Sequence, residues 1–276
     1  MKFKIIALLL CIALCFAAVG CSSDDVVSDE VSDSVTSTET SSKEEISSEV
    51  SSKTEESSSK VSSAPVSSKV TSTVQTGGDY TNIDTEEYLM MLVNPWVPLP
   101  EGFKPKTTPI PAGYGTWANM SFADVGFNDL IKMIDDARSQ GANLILVSST
   151  RTHAEQNSLY QNKVNRVMAA NPSYTRKQAE IEAAKAVAIP GTSEHQLGLA
   201  VDFNSTEDSF RNTKEFKWLQ ENCYKYGFIY RYHDDKQDTT GIIPEPWHYR
   251  YVGKDNAKKI YDSGLVFEEY LSKYVY

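Results

Sequence analysis

Four histidines occur in the chain: His153, His195, His233 and His248. His195 lies in "PGTSEHQLGLAVDF", and Asp202 follows seven residues later. In a strand, Leu199, Val201 and Phe203 share one face, with Ala200 and Asp202 on the other. A carboxylate in so apolar a strand must be ion-paired, hydrogen-bonded or bound to a metal. Arg231 is the candidate partner for the ion pair. His248, in "GIIPEPWHYRYVG", supplies the second imidazole for a metal. Two imidazoles and one carboxylate suit Zn²⁺ and leave a fourth position for water, whose pKa the metal brings to about 7. That water needs a base, and Glu245 stands three residues before His248. Pro244 and Pro246 disfavour helix at Ile243 and Glu245. The segment is therefore extended, unlike the helical H-E-x-x-H zinc motif. A stiff backbone of this kind presents Glu245 beside a metal without making it a ligand.

Arg151 ends "VSSTR", at the exit of a short apolar run. An arginine there can hold an oxyanion or clamp a carboxylate; the alternative is a surface arginine flanking a helix. His153 and His233 fall in a helix start and a polar stretch, "HDDKQDTTG", and are assigned structural or solvated roles.

These residues need a frame to bring them together. "FNDLIKMIDDARSQG" places Leu130, Ile131, Ile134 and Ala137 at helical spacing, with Gly141 as the stop. "NLILVSS" follows as a buried strand. Thr152 with Glu155, and Thr175 with Gln178, are capping-box patterns. The first opens a helix with Tyr160, Val164, Val167 and Met168 on one face, and the second an Ala-rich helix. Asn212 with Glu215 marks a third helix start, with Phe216, Leu219 and Cys223 inward and Gly227 as the stop. "LGLAVDF", "GFIYRY" and "HYRYV" are further strands. Two short helices, near residues 256–262 and 267–274, finish the chain. The Pro-rich "MLVNPWVPLPEGFKP" is an extended arm packed on the domain. The order of elements predicts an α+β fold with a small antiparallel sheet flanked by helices.

Residues 1–20, "MKFKIIALLLCIALCFAAVG", have a basic start and a short apolar run, which predicts a signal peptide. "AAVGC" is similar to a lipobox, with Cys21 as the lipidated residue; an ordinary secretory signal cut nearby is the alternative. Residues 21–78 are dominated by Ser, Thr, Val, Glu and Lys and predict a disordered tether. The folded domain is expected over residues 79–276, lipid-anchored outside the cytoplasm and facing the cell wall, as a monomer. The formal net charge of −10 argues against nucleic-acid binding. Of the four cysteines, Cys223 alone falls in the expected domain, so no disulfide within it is available; it reads as a small core residue.

"SSTR" with Gln156 and "LYQNKV", then "PGTSEHQLGLAVDF", "YGFIYRY" and "EPWHYRYVG", resemble the VanY-type zinc D-alanyl-D-alanine carboxypeptidases. "LVNPWVPLPEGF" is similar to the arm that begins that domain. The likeness runs over nearly all of residues 88–276. It implies the zinc D-Ala-D-Ala carboxypeptidase-like fold, one Zn²⁺ per domain, and removal of the terminal D-alanine from peptidoglycan stem peptides. By matching motif it makes His195, Asp202 and His248 the ligands and Glu245 the base and proton donor. It gives Arg151 to the substrate or transition state and puts Ser193, Gln156 and Tyr232 near the substrate. The chain departs from the family at Ser149-Thr150, where S-G-Y-R is common, and in its acidic 233–241 loop; both are expected to flank the cleft. The same framework serves L,D-carboxypeptidases, and a catalytically dead wall-binding lipoprotein is a reading of another class.

Overall fold

The computed structural model describes residues 84–276. The expected signal peptide, Cys21 and the tether lie outside the described residues. Two antiparallel sheets and nine α-helices are present among them. In chain order these are α1 (Thr85–Leu89), β1 (Thr107–Pro109), β2 (Ser121–Ala123), α2 (Asp124–Ser139), β3 (Leu146–Ser148), α3 (His153–Ala170) and α4 (Arg176–Ala184). Then follow α5 (Glu194–Leu197), β4 (Ala200–Phe203), α6 (Lys214–Asn222), β5 (Phe228–Tyr230), α7 (Gln237–Thr240), β6 (His248–Tyr251), α8 (Lys254–Ser263) and α9 (Phe267–Tyr274). The expected α+β architecture is present. The central sheet runs β3-β4-β6-β5, antiparallel throughout.

Both expected capping boxes form. The Thr152 and Thr175 side chains accept from the N–H groups of Glu155 and Gln178, and those side chains return the bond. The third start differs. Asn212 ends a 3₁₀ turn, Thr213 is the N-cap of α6, and Glu215 instead accepts from the Asn143 N–H at 3.0 Å. The helix also stops at Asn222, and Cys223 opens a second 3₁₀ turn that ends on Gly227 at φ 88°. Cys223 is buried in the core, as expected. The pair β1–β2 has no counterpart in the sequence reading, because three-residue strands carry too short an alternation to register. The acidic 233–241 loop contains α7, and His233 is half-buried with its ring 4.5 Å from that of Tyr230.

The main core lies between the sheet and α2 and α6; Leu130, Ile134, Leu199, Val201, Phe203 and Leu219 are fully buried there. Leu199, Val201 and Phe203 thus sit together, as strand alternation requires. A second cluster joins β5 to α8 and α9. A third stands apart: Tyr160, Val164 and Val167 of α3 close on Ala179 and Ala183 of α4. The Pro-rich arm lies on the domain, as expected. The Leu99 N–H donates to the Gly191 carbonyl at 2.7 Å, and Arg250 Nη2 donates to the carbonyls of Leu89 and Met91.

Candidate metal centre and active site

Sheet register makes the site. Asp202 on β4 stands opposite His248 on β6, and Ser148 on β3 stands opposite Asp202. Directly opposed residues in an antiparallel pair bring their Cβ atoms to about 5 Å, so three functional residues form one row across the sheet. His195 arrives from α5, which ends on Gly198 in the left-handed region at φ 81°. A Cβ there would meet Pro105 at 2.8 Å, so glycine alone lets α5 turn directly into β4.

His195 Nε2 lies 3.3 Å from Asp202 Oδ2, and His248 Nδ1 lies 3.2 Å from Asp202 Oδ1. The two imidazole rings stand nearly perpendicular, with centroids 4.9 Å apart. All three side chains are buried. Metal–ligand bonds of about 2.0–2.1 Å in a tetrahedron require ligand atoms about 3.3 Å apart. Each imidazole nitrogen lies at that distance from the Asp202 carboxylate, one from each oxygen, and one ligand atom from each of the three residues falls within 4.8 Å of the others. The outward nitrogens are also held. His195 Nδ1 faces the Ser149 carbonyl at 2.8 Å, which only accepts, so the proton sits on Nδ1 and Nε2 is free to bind. His248 Nε2 faces Glu194 Oε2 at 3.2 Å. This is how metal-binding imidazoles are oriented: the far N–H donates to a carbonyl or carboxylate. The donor set therefore fits a zinc ion.

Burial, with Arg151 assisting, lowers the His195 pKa to about 4 and keeps the imidazole neutral. For His248 burial acts downward, but hydrogen bonds to Asp202 and Glu194 outweigh it and raise the pKa to about 9. Burial acts upward on Asp202, and the two histidines hold it well below the usual carboxylate range.

Glu245 stands beside this group and outside it. Its Oε2 is 3.6 Å from His248 Nδ1, and it is buried on the cleft wall. Burial pushes its carboxyl up to about 8; a bound cation acts in the opposite direction. The segment is not helical, as the prolines require, but it is not extended throughout. Pro246 and Trp247 form a turn in which the His248 N–H donates to the Glu245 carbonyl at 3.0 Å, while the Glu245 N–H donates to the Tyr232 carbonyl at 3.2 Å.

Arg151 closes the row. Its Nη2 donates to Asp202 Oδ2 at 3.1 Å, its Nε and Nη2 donate to Ser148 Oγ, and its Nη1 donates to Gln156 Oε1 at 3.1 Å. It is a partner of Asp202, not a solvated helix flank. Arg231, the ion-pair partner weighed for Asp202, does not reach it. It is fully buried and bonds Glu194 and Glu268 instead.

A cleft of about 430 Å³ opens onto these groups, and Arg151, Ser193, Tyr232 and Glu245 line it with the three candidate ligands. Gln156 does not. It is fully buried, with Nε2 donating to the Ala188 carbonyl at 2.8 Å, so it positions Arg151 and makes no substrate contact. The face of α3 that carries it turns into the domain. The two family departures also lie off this cleft: Thr150 lines a separate groove under the Pro-rich arm, and residues 233–241 are absent from the cleft wall. His153 lines that separate groove too.

Glu194 was missed. Its Oε1 accepts from Arg231 Nε at 2.9 Å and Arg250 Nη1 at 3.0 Å, while Oε2 holds His248. Burial acts upward on its pKa, but the two guanidiniums hold it far below the usual range. The signal was present elsewhere: arginines inside "GFIYRY" and "HYRYV" require a buried anion.

The chain is similar in sequence and fold to known proteins. The model of the VanY D-alanyl-D-alanine carboxypeptidase family matches residues 123–254. A D-alanyl-D-alanine carboxypeptidase of Enterococcus faecalis (strain ATCC 700802 / V583) is 41% identical over 194 residues, which are 68% of each chain. The vancomycin resistance D,D-pentapeptidase VanY, solved in complex with Zn(II), is 40% identical with a TM-score of 0.59, over 67% of this chain and 99% of that one. The LdcB LD-carboxypeptidase is 36% identical with a TM-score of 0.60, over 69% and 89%. On the identity to the Enterococcus faecalis enzyme over two thirds of both chains, together with the family-model match, the chain belongs to the VanY D-alanyl-D-alanine carboxypeptidase family.

Proposed function

We propose that the protein is a zinc D,D-carboxypeptidase that removes the C-terminal D-alanine from peptidoglycan stem peptides. The observation that carries this reading is the buried His195–Asp202–His248 group with Glu245 beside it, 3.6 Å from His248 and outside the set. His195 Nε2, an Asp202 oxygen and His248 Nδ1 would hold the zinc, which supplies a Lewis acid and a water of lowered pKa. Glu245 takes the proton from the attacking water and returns it to the departing amine of D-alanine. Arg151, fixed by Ser148, Gln156 and Asp202, faces the developing oxyanion or the terminal carboxylate. Ser193 and Tyr232 form part of the wall against which the peptide lies.

The test is digestion of defined pentapeptide and tetrapeptide stems, read by mass spectrometry, with chelated and zinc-restored protein. D-Alanine release from the pentapeptide alone, lost on chelation, is the expected result. Cleavage of the tetrapeptide alone replaces this reading with the L,D-carboxypeptidase one, which the likeness to LdcB favours. Zinc binding without cleavage of either leaves a wall-binding protein. Glu245→Ala should retain zinc and lose turnover; an active variant removes Glu245 from the mechanism.

The cellular placement is part of the proposal. The "AAVGC" stretch supports lipid on Cys21, membrane anchoring and a tether of residues 21–78 that reaches the wall. Loss of membrane association in Cys21→Ala tests it by fractionation. A monomer is expected in sedimentation of the soluble domain.

A further inference from the structure

α3 has two working faces. One is closed on α4 by Tyr160, Val164 and Val167. The other carries Leu159, Lys163 and Arg166, at i, i+4 and i+7, and this stripe lines the same cleft as His195 and Glu245. Lys163 is half-buried and Arg166 exposed, and neither makes an ion pair or hydrogen bond among the described residues.

Unpaired lysines occur on other helices too, Lys177, Lys217 and Lys259 among them, but none of these lines the cleft. Lys132 with Asp136, Arg176 with Glu180 and Lys258 with Asp262 are all paired one turn apart. Around Lys163 and Arg166 no acid stands three or four residues away on either side. They are three residues from each other instead, a like-charge spacing that weakens a helix slightly. Glu207 also lines the cleft and pairs with neither. Stability of α3 gives no reason for two unpaired cations on the wall of the cleft; an anionic group on the substrate does.

The span is set by the helix. Gln156 ties the first turn of α3 to Arg151 and hence to the metal group. Lys163 and Arg166 lie seven and ten residues further on, about 10 and 15 Å along the axis. An extended peptide covers that distance in about three to four residues.

We propose that Lys163 and Arg166 form a subsite for a carboxylate carried about three residues upstream of the cleaved bond, selecting stem peptides in which that carboxylate is free over those in which it is amidated. The inference rests on the stem-peptide reading of the cleft. A glutamate linked through its side chain, with its main-chain carboxyl free, has this chemistry.

The test compares two zinc-loaded proteins, wild type and the double variant Lys163→Gln/Arg166→Gln, on two pentapeptides. They are L-Ala-γ-D-Glu-L-Lys-D-Ala-D-Ala and the same peptide with the glutamate α-carboxyl as its amide. Wild type is expected to favour the acid form by about 10-fold in kcat/KM, through KM, with the preference shrinking as salt is added. In the double variant the ratio should fall below about 2-fold. Equal kcat/KM in wild type, or a preference that survives in the double variant, overturns the subsite. Should neither peptide release D-alanine, the activity reading fails, and calorimetric affinities of the two peptides decide the subsite alone: a difference of about 10-fold lost in the double variant sustains it, and equal affinities overturn it.

Discussion

Replacing Glu194 with glutamine separates two jobs that one carboxylate performs. Oε1 neutralises Arg231 and Arg250, both fully buried, and Oε2 accepts from His248 Nε2. Glutamine keeps the shape and loses the charge. If its amide NH₂ turns toward His248, Nε2 must accept, and the ring proton moves to Nδ1, the nitrogen that faces Asp202. A protonated Nδ1 cannot bind metal. If the NH₂ turns the other way, donor meets donor at two guanidiniums. Arg250 is then left with three carbonyl partners, those of Leu89, Met91 and Tyr251, and no anion. Loss of one partner from a buried ion pair costs about 3–5 kcal/mol. Taking the low end, about 3 kcal/mol, Tm of the metal-free protein should fall by roughly 6–12 °C for a domain of this size. Loss of an imidazole-orienting carboxylate should weaken zinc about 10- to 100-fold. Glu268→Gln is the matched control. Glu268 accepts from Arg231 at 2.7 and 2.6 Å and does not touch His248. It should lower Tm comparably and leave zinc affinity within about 2-fold. Thermal unfolding with chelator and competitive zinc titration measure the two effects. Wild-type zinc affinity in Glu194→Gln refutes the orienting role. Equal zinc loss in both variants shows that network stability, not imidazole orientation, sets the affinity.

Gln156→Ala should cut kcat/KM about 10-fold with zinc affinity unchanged, because Arg151 loses one anchor while the ligands keep theirs; the truncation also leaves the Ala188 carbonyl without its side-chain donor, at about 1–3 kcal/mol. Steady-state kinetics beside a zinc titration checks this, and a parallel fall in zinc affinity counts against it. Gly198→Ala, at φ 81° and 2.8 Å from Pro105, should destabilise the domain by about 1–3 kcal/mol and weaken zinc, since it displaces α5 relative to β4. Urea unfolding and metal titration read both, and an unperturbed variant would show that the turn has slack. His195→Ala should lose metal and stability together, seen in metal analysis and Tm.

Several elements were legible because their signals are local. A capping box spans four residues, so Thr152 and Thr175 announce α3 and α4 directly. The period of two in "LGLAVDF" sets Asp202 apart from the core face. Prolines on both sides of Glu245 keep the segment out of a helix without reference to the rest of the chain, whereas the turn at Pro246 and Trp247 is not read from them. The start of α6 was misread by one residue, because Asn212 and Thr213 are both good caps and the preceding 3₁₀ turn decides between them. Gln156 was assigned to the substrate because a motif gives chain position and not the side of the helix that turns inward.

By itself the sequence determined the chemistry available: two imidazoles, two carboxylates and an arginine, each in a backbone setting that its neighbours enforce. Only the tertiary structure decided how they divide the work. Asp202 meets His248 through strand register across 46 residues. Glu194 meets Arg231 and Arg250 across 37 and 56 residues. Lys163 and Arg166 face the cleft because Tyr160 and Val164 commit the other side of α3 to α4. Backbone propensities act over a few residues, whereas the pairing of buried charges is settled by which strands lie side by side. That order depends on the burial of the whole chain and cannot be read from any one segment.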